Sequence, residues 1–312
     1  MVNKDKNRDK NVGEELDSKI NINWFPGHMA KTKRQIIEDL KLIDVVVEIL
    51  DARIPVSSQN PDVKGYTKNK KKVAVLNKSD LADENETKKW VKYFAEKGIP
   101  AVVTDANSGK GINEVIRAVK EVAKEAQDKF AGKGRVGKSI RIMILGIPNV
   151  GKSSFINRIT KKNTAQVGNR PGVTRQKQWI RIEDGIELMD TPGVLWPKFE
   201  SEEVGLHLAF TGSIKDDILE KTEIAYQLLR FLVNNYLKNV IERYKLDENQ
   251  VDEILKSDLE ENGKIVEIME TIAKKRGAIL SGGRIDYEKV SIILLDEFRS
   301  GKLGKITIEK RD

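Results

Sequence analysis

The sequence predicts an α/β fold, in which a doubly wound, mostly parallel sheet is followed by a separate all-α domain. Short apolar runs alternate with amphipathic helical stretches between about residues 29 and 190, which is the pattern of a parallel sheet. Two of these runs end in polar loops, one within residues 73–81 ("VAVLNKSDL") and one within residues 141–154 ("RIMILGIPNVGKSS"). From about residue 206 the strand-like runs stop and helical periodicity continues alone. A chain of 312 residues is long enough for about two domains.

Composition narrows the possible partners and compartments. The net charge of +8 favours a polyanionic partner, either nucleic acid or an anionic membrane; the alternative is a basic protein that is merely soluble. The absence of Cys excludes disulfides, thiolate zinc sites and thiol nucleophiles, and it fits a reducing, cytoplasmic compartment. No apolar stretch approaches the roughly 20 residues that span a bilayer, and residues 1–20 lack the apolar region of a secretory signal. We therefore expect no membrane partner, and we expect a monomer.

The first half of the chain is predicted to alternate helix and strand. Residues 1–22 are polar and charge-balanced, which predicts a disordered lead. A helix is predicted to begin near Met29, because apolar residues follow at helical spacing. These residues are Ile36, Ile37, Leu40 and Ile43. The next predicted elements are strands within 44–55, 70–80 and 99–111 and helices over 84–97 and 112–128.

The second half is predicted to complete the sheet before the all-α domain begins. Residues 131–139 ("AGKGRVGKS") are Gly-rich and basic, which is typical of a linker. A strand, a loop and a helix follow over 140–160, and further strands are predicted at "QWIRI" and "IELMDTPG". The predicted domains are a lead over 1–22, an α/β domain over 23–205 and a helical domain over 206–312.

The loop at residues 146–153 matches the phosphate-binding pattern G-x-x-x-x-G-K-[ST] without a mismatch. Its glycines let consecutive backbone N–H groups point at phosphate oxygens, and the following helix adds its positive N-terminal end. Lys152 is expected to reach the β- and γ-phosphates, and the Ser153 hydroxyl is expected to ligate Mg²⁺. The flanking strand and helix argue against a chance match. The other predicted nucleotide-binding residues of this loop are Pro148, Asn149, Val150, Gly151 and Ser154.

A strand ending in Asp190-x-x-Gly193 follows 37 positions after Ser153. The Asp190 carboxylate is expected to hold Mg²⁺, usually through water, and the Gly193 amide is expected to sense the γ-phosphate. Thr174 is the best candidate for the second hydroxyl on Mg²⁺, ahead of Thr160 and Thr164, because the Pro-Gly pair before it predicts a loop. The alternative for Thr174 is an ordinary turn or strand threonine.

The motif Asn77-Lys78-x-Asp80 predicts the base of the nucleotide. Asp80 can accept hydrogen bonds from both N1–H and the exocyclic amine of guanine, whereas adenine offers neither in that geometry. Asn77 can meet the other edge of the base, and the aliphatic stem of Lys78 can cover the ring. After an apolar strand, and with a phosphate loop in the same chain, the motif favours guanine over adenine.

The loop "TDANSGKG" is expected to contact guanine O6. Guanine-binding proteins usually have Ser-Ala-Lys here, and this chain has Asp105, Ala106 and Asn107. The expected contact is made by the backbone N–H of Ala106, so the change of side chains costs little.

The guanine-reading motif at Asn77 comes 69 positions before the phosphate loop at Gly146, the reverse of the usual order. A parallel sheet tolerates such a permutation, because termini and loops lie on its rim. The sequence resembles the circularly permuted GTPases of ribosome assembly over about residues 23–310. The motifs that carry this resemblance are "WFPGHMAK", "DARIP", "NKSD", "GIPNVGKSS", "RPGVT", "DTPGV", "RGAILSGGRIDY" and "DEFRSGKLGKITIE".

The resemblance implies a GTPase that acts late in maturation of the large ribosomal subunit, binds ribosomal RNA, and links GTP hydrolysis to release. The chain also resembles the group of GTPases in which a hydrophobic residue replaces the glutamine that orients the attacking water. In this chain that residue is Val194. The permutation is expected to fold His28 back beside residues 193–197, where it could polarise water; the alternative is a helix cap or a solvent-facing side chain. Asn149 is a candidate for holding K⁺ against the phosphates, or it only tolerates a tight turn.

Basic residues of the predicted helical domain could bind the RNA backbone, or they could form an ordinary solvated face. These residues are Lys274, Lys275, Arg276, Arg284, Arg299, Lys302 and Lys305. Two other functions stay open at this point. One is a signalling or trafficking GTPase with a protein effector, although the sequence shows no lipidation site. The other is a guanine-nucleotide-binding module that does not hydrolyse GTP, which Val194 alone would allow.

Overall fold

The computed structural model describes residues 29–131, 139–161, 179–183, 185–189, 201–214 and 220–311. The described residues fall into two compact units, one formed by 29–189 together with 307–311 and the other by 201–306. The sequence predicts a boundary at 205/206, with residues 206–312 in the helical domain. The predicted lead, 1–22, and most of the predicted linker, 131–139, lie outside the described residues.

The described part of the first unit contains a six-stranded sheet with the strand order β3-β2-β1-β4-β6-β5. Its strands are β1 (Val45–Asp51), β2 (Lys71–Asn77), β3 (Ala101–Val103), β4 (Ile140–Leu145), β5 (Trp179–Glu183) and β6 (Ile186–Met189). All neighbouring pairs are parallel except β5 and β6, which are antiparallel. The predicted fold class, a doubly wound and mostly parallel sheet, is confirmed.

Strand β1 lies in the middle of the sheet and brings two distant loops to one edge. Its residues are buried except for the half-buried Glu48, which fits a strand covered on both faces. It pairs with β2 from Val45 opposite Lys71 to Asp51 opposite Asn77. It pairs on its other side with β4, the strand that leads into the phosphate loop. The permuted chain order therefore still places the loops after β1, β2 and β4 side by side.

Helices of the first unit cover the two faces of this sheet. They are α1 (Met29–Leu40), α2 (Pro61–Tyr66), α3 (Glu84–Glu96), α4 (Ile112–Ala131) and α5 (Lys152–Lys161). The sequence analysis did not predict α2, which begins at Pro61 after Asn60, whose side chain accepts hydrogen bonds from the Asp62 and Val63 amides. The sequence predicts Ile37 on the apolar face of α1, but it is 38% exposed, because the helix turns Ile36, Asp39 and Leu40 towards the core.

The second unit is helical throughout its described residues apart from connecting loops, and this prediction is confirmed. Its helices are α6 (Glu202–Phe210), α7 (Lys221–Tyr244), α8 (Glu248–Lys256), α9 (Glu261–Arg276) and α10 (Tyr287–Arg299). The long helix α7 is interrupted at Tyr236, whose backbone is not helical. Among the described helices of either unit, none combines the length and apolarity that crossing a bilayer requires.

Candidate nucleotide-binding site

The phosphate loop leaves β4 at Gly146 and enters α5 at Lys152. A Cβ atom on Gly146 would lie 2.5 Å from the carbonyl oxygen of Ile49 in β1, so the loop can follow this path only with glycine there. Gly151 has a φ of +92°, and a Cβ atom would overlap the side-chain amide of Asn77. The two glycines of the motif thus let the loop pass close against β1 and against the guanine-reading motif.

Lys152 turns its ammonium group back over this loop, where Nζ donates a hydrogen bond to the carbonyl oxygen of Ile147. Burial lowers the pKa of Lys152 to about 8, because the charged form loses hydration. Ser153 and Ser154 follow in the exposed first turn of α5. Amide groups in a first helical turn have no intrahelical acceptor. The loop therefore offers a cation, hydroxyls and backbone donors together, which fits a phosphate group and leaves Ser153 free to ligate a hard cation.

Asn77, at the end of β2, connects three loops through one side chain. Its Nδ2 donates to the Val150 carbonyl of the phosphate loop at 2.7 Å. Its Oδ1 accepts hydrogen bonds from the Thr104 hydroxyl at 3.1 Å and from the Ala106 amide at 3.0 Å. The side chain is almost fully buried. The amide group has a second N–H donor, so a contact with the edge of a base stays chemically possible.

Lys78 and Asp80 continue from Asn77 into a tight turn. Lys78 has a φ of +59°, a left-handed conformation that is uncommon for a residue other than glycine. The Leu81 amide closes the turn on the Lys78 carbonyl at 3.0 Å. Asp80 is exposed within this turn, so its carboxylate is accessible to a ligand.

A buried ion pair at the end of β1 holds Lys78, and the sequence analysis missed it. Lys78 Nζ lies 3.1 Å from Asp51 Oδ2. Asp51 also accepts two hydrogen bonds from the guanidinium of Arg53, at 3.0 and 2.8 Å. Burial opposes ionisation of Asp51, but Arg53 and Lys78 outweigh it and hold the pKa of this carboxyl well below its usual value. Asp51 and Arg53 belong to the motif "DARIP", which carries part of the family resemblance. This motif was the sequence signal that could have identified the ion pair.

The loop after β3 is organised largely by its own residues. The Asp105 carboxylate accepts hydrogen bonds from the amides of Asn107, at 2.9 Å, and Ser108, at 3.3 Å. Burial opposes ionisation of Asp105, but the pKa of this carboxyl is lowered overall. The causes are hydrogen bonds from the Ser108 hydroxyl and from the two amides, together with the positive charge of Arg158. Arg158 from α5 reaches the carbonyl oxygens of Ala106 and Asn107. Because the Ala106 amide donates to Asn77, the predicted contact with guanine O6 requires this hydrogen bond to be shared or exchanged.

Four predicted residues of the hydrolytic centre lie outside the described residues, namely His28, Thr174, Asp190 and Gly193. The same holds for Val194. Within the described residues, no group of three or more His, Asp or Glu side chains could hold a metal ion. Asn149 is exposed and has a φ of +61°, so the tight-turn explanation accounts for its residue type. A role for Asn149 with K⁺ stays a prediction.

Two of the seven basic residues predicted to bind RNA have structural roles in the helical unit. Arg276 donates a hydrogen bond to the buried carboxylate of Glu297 at 2.9 Å. Arg243 donates to the same carboxylate at 2.6 Å. Arg299 donates to the carbonyls of Ala209 and Phe210 at the end of α6. These contacts give both residues a structural role, and their part in RNA binding stays a prediction. The other five residues are exposed, namely Lys274, Lys275, Arg284, Lys302 and Lys305.

Comparison with known families and proteins finds matches along most of the chain. A family model described as a 50S ribosome-binding GTPase matches residues 141–271. The ribosome biogenesis GTPase A of Bacillus cereus is 49% identical over 92% of this chain and 93% of that protein. The protein of the same name from Thermotoga maritima is 30% identical over 93% of this chain and 94% of that protein.

Solved structures show the same fold. The GDP-bound structure of YlqF from Thermotoga maritima has a TM-score of 0.64 and 27% identity, over 89% of this chain and 99% of that chain. The GNP-bound structure of the same protein has a TM-score of 0.60 over 90% of this chain and 98% of that chain. These matches support the circularly permuted arrangement of a P-loop GTPase fold.

Proposed function

Since this chain belongs to the ribosome biogenesis GTPase A family, we propose that it acts late in maturation of the large (50S) ribosomal subunit and that GTP hydrolysis releases it. The family relationship supports the ribosomal part of the proposal, and the convergence at Asn77 is the structural observation that supports its GTPase part. One side chain joins the phosphate loop to the guanine-reading motif, although the residues it joins, Asn77 and Val150, are 73 positions apart. The permuted chain thus rebuilds the nucleotide site of a GTPase.

The roles of the site residues follow from their chemistry. Asp80 accepts from N1–H and the exocyclic amine of guanine, while the stem of Lys78 covers the ring. Lys152 and the amides of the phosphate loop bind the phosphates. Ser153 would hold Mg²⁺ together with Thr174 and Asp190, and Asn149 would hold K⁺. When bound, such cations stabilise the negative charge that develops on the transferred phosphoryl group.

Hydrolysis needs a group that orients water, and the aliphatic Val194 cannot do so by hydrogen bonding. We assign this role to His28, whose imidazole can accept a proton or polarise the attacking water. His28→Ala should lower kcat by about 10²-fold or more without changing the Kd for GTP. Unchanged subunit-stimulated kcat in a variant of wild-type melting temperature would show that another group holds the water.

Ribosomal RNA is the proposed partner of the helical unit. Its exposed lysines and Arg284 fit contacts to phosphate, and the net charge of +8 fits an RNA partner. Near these residues, a short hairpin pairs Ile279 with Ile285 and leaves Leu280 46% exposed. We expect the protein to act as a cytoplasmic monomer on the subunit.

Co-sedimentation with purified large subunits tests the proposal. Binding should be strong with a non-hydrolysable GTP analogue and weak with GDP, and subunits should raise the rate of GTP hydrolysis. Equal binding to subunits with GDP and with the GTP analogue would point to a signalling role instead. Hydrolysis that is stimulated only by a protein fraction without ribosomes would point the same way. Replacing Lys274 and Lys275 with Ala should reduce the salt dependence of binding by up to about one unit of slope for each lost phosphate contact. Glu288→Ala, an exposed change in the same unit, is the matched control.

A further inference from the structure

Residues 307–311 leave the helical unit and pack on the nucleotide-binding unit; this segment is called the strap. Thr307 and Ile308 are buried there. The amides of Ile308 and Glu309 donate to the carbonyl oxygen of Arg53, at 2.9 and 3.3 Å. The strap therefore contacts the loop that follows the central strand β1.

Glu309 makes the densest set of contacts in the strap. Its carboxylate accepts hydrogen bonds from the amides of Val56, at 2.5 Å, and Ser57, at 2.8 Å, and from the Ser57 hydroxyl. Its own carbonyl oxygen accepts from the indole Nε1 of Trp90 at 2.8 Å. Hydrogen bonds to a carboxylate are among the stronger ones in proteins, so these contacts hold residues 53–57 in one conformation.

The strap also reaches the helix that follows the guanine-reading motif. The Thr307 hydroxyl accepts from the amide of Asp83, the residue that caps α3, at 3.0 Å. The guanidinium of Arg311 lies over the ring of Tyr93, 4.0 Å from its centroid. The strap therefore contacts the loop after β1 and the residue that caps α3, which precede and follow residues 77–80 in the sequence.

A continuous set of contacts leads from the strap to Lys78. The amides of Ile308 and Glu309 donate to the carbonyl oxygen of Arg53. The Arg53 guanidinium in turn donates to the Asp51 carboxylate, and Asp51 forms an ion pair with Lys78 Nζ. Asp51 and Arg53 are essentially inaccessible to solvent. The cost of dehydrating a buried ion pair can equal or exceed the attraction between its charges, so the pair is weak evidence for a role in stability alone. Lys78 also has a strained left-handed backbone, which persists only where surrounding contacts determine it.

We infer that the strap is a positioning element for guanine recognition, which acts through Arg53 and Asp51 to fix Lys78 and the turn that presents Asp80. The inference rests on the proposed guanine site. Loosening the strap lets the turn at 78–80 relax, so base recognition weakens while the phosphate loop is unaffected. The predicted signature is a loss of preference for guanine rather than a general loss of folding.

The experiment compares Glu309→Ala and Glu309→Gln with wild type by equilibrium binding of GDP and of IDP, which lacks the exocyclic amine that Asp80 reads. Glu309→Ala should raise the Kd for GDP about tenfold, a usual size for coupling between distinct sites, and should reduce the GDP-over-IDP preference. Glu309→Gln should have a smaller effect of the same kind. Glu96→Gln is the matched control, because Glu96 is exposed at the far end of α3, and it should bind as wild type.

A double-variant cycle tests the route through Lys78. In a Lys78→Ala background, Glu309→Ala should change the GDP-over-IDP preference much less than in wild type, because coupled residues are not additive. An undiminished effect in that background, or wild-type binding by folded Glu309→Ala, would overturn the inference. If Glu309→Ala does not fold, Glu309→Gln decides by the same two measurements.

Asp80→Asn in the same assay separates this inference from the proposed site. A shift from guanine towards xanthine by Asp80→Asn, together with no effect of the Glu309 variants, would overturn only the role of the strap. No shift by Asp80→Asn would overturn the guanine site itself.

Discussion

The phosphate loop and the guanine-reading loop both follow buried parallel strands, yet their shapes have different origins. The phosphate loop is shaped largely by residues within it, since Gly146 and Gly151 permit its path and Lys152 donates to the Ile147 carbonyl; Asn77 adds one contact from a distant strand. The turn at Lys78 depends on residues far away in sequence, including Asp51 and the strap. The contrast teaches that one half of the site is encoded locally and the other by the assembled unit.

Lys152→Ala should give the largest effect, because it removes the one side-chain cation described in the phosphate loop. We expect the Kd for GTP to rise about 10²-fold or more, as expected when hydrogen bonds to a charged group are lost. The melting temperature should not fall, since the variant also removes a partly buried charge. Isothermal titration and thermal unfolding measure the two quantities. Wild-type affinity would show that residues 146–153 are only a turn.

Asp80→Asn should change the choice of base rather than the binding of phosphates. An amide offers one donor and one acceptor where the carboxylate offers acceptors only, so guanine loses a hydrogen bond and xanthine gains one. We expect the GDP-over-XDP preference to fall by about 10- to 100-fold, the size of one or two lost hydrogen bonds. Competition binding measures this preference. Equal GDP affinity in variant and wild type would contradict the assignment of Asp80.

The affinity for GDP should depend on pH through Lys152. Below its pKa of about 8 the ammonium is already formed, so affinity is level there. Above pH 8 binding must also take up a proton, and affinity should fall by up to about tenfold for each pH unit. Titrations between pH 7 and pH 9 test this, with Lys152→Ala as the control for ionisation of guanine itself. A level profile in wild type would mean that Lys152 stays charged throughout.

Asp105→Asn should have the smallest effect. The structure places the Asp105 carboxylate on the amides of Asn107 and Ser108, and an asparagine oxygen can accept the same hydrogen bonds. We expect the Kd for GDP to change by less than about threefold, well under one charged hydrogen bond. A loss larger than this in Asp105→Asn, and equally large in Asp105→Ala, would show that the negative charge of Asp105 itself contributes to nucleotide binding.

The sequence predicted what depends on short-range patterns. Short apolar runs identified the strands, which are three to seven residues long, and the glycines at 146 and 151 with Lys152 identified the phosphate loop. It failed where a side chain serves a partner distant in sequence. Arg276 and Arg299 read as surface cations, but Glu297 and the carbonyls at the end of α6 engage them. The sequence did not indicate what Asp51 does, because its partner Lys78 follows another strand of the sheet.

The central position of Asn77 has a consequence for synthesis of the chain. Strands β1 and β2 can pair early, because their contacts are close in sequence, but Asn77 meets Val150 only after β4 has joined the sheet. Contacts between distant residues form late, since the intervening chain must first be ordered. We therefore expect nascent chains that stop before residue 150 to be folded in part yet unable to retain nucleotide. Competence to bind would appear only once both permuted segments have left the translating ribosome.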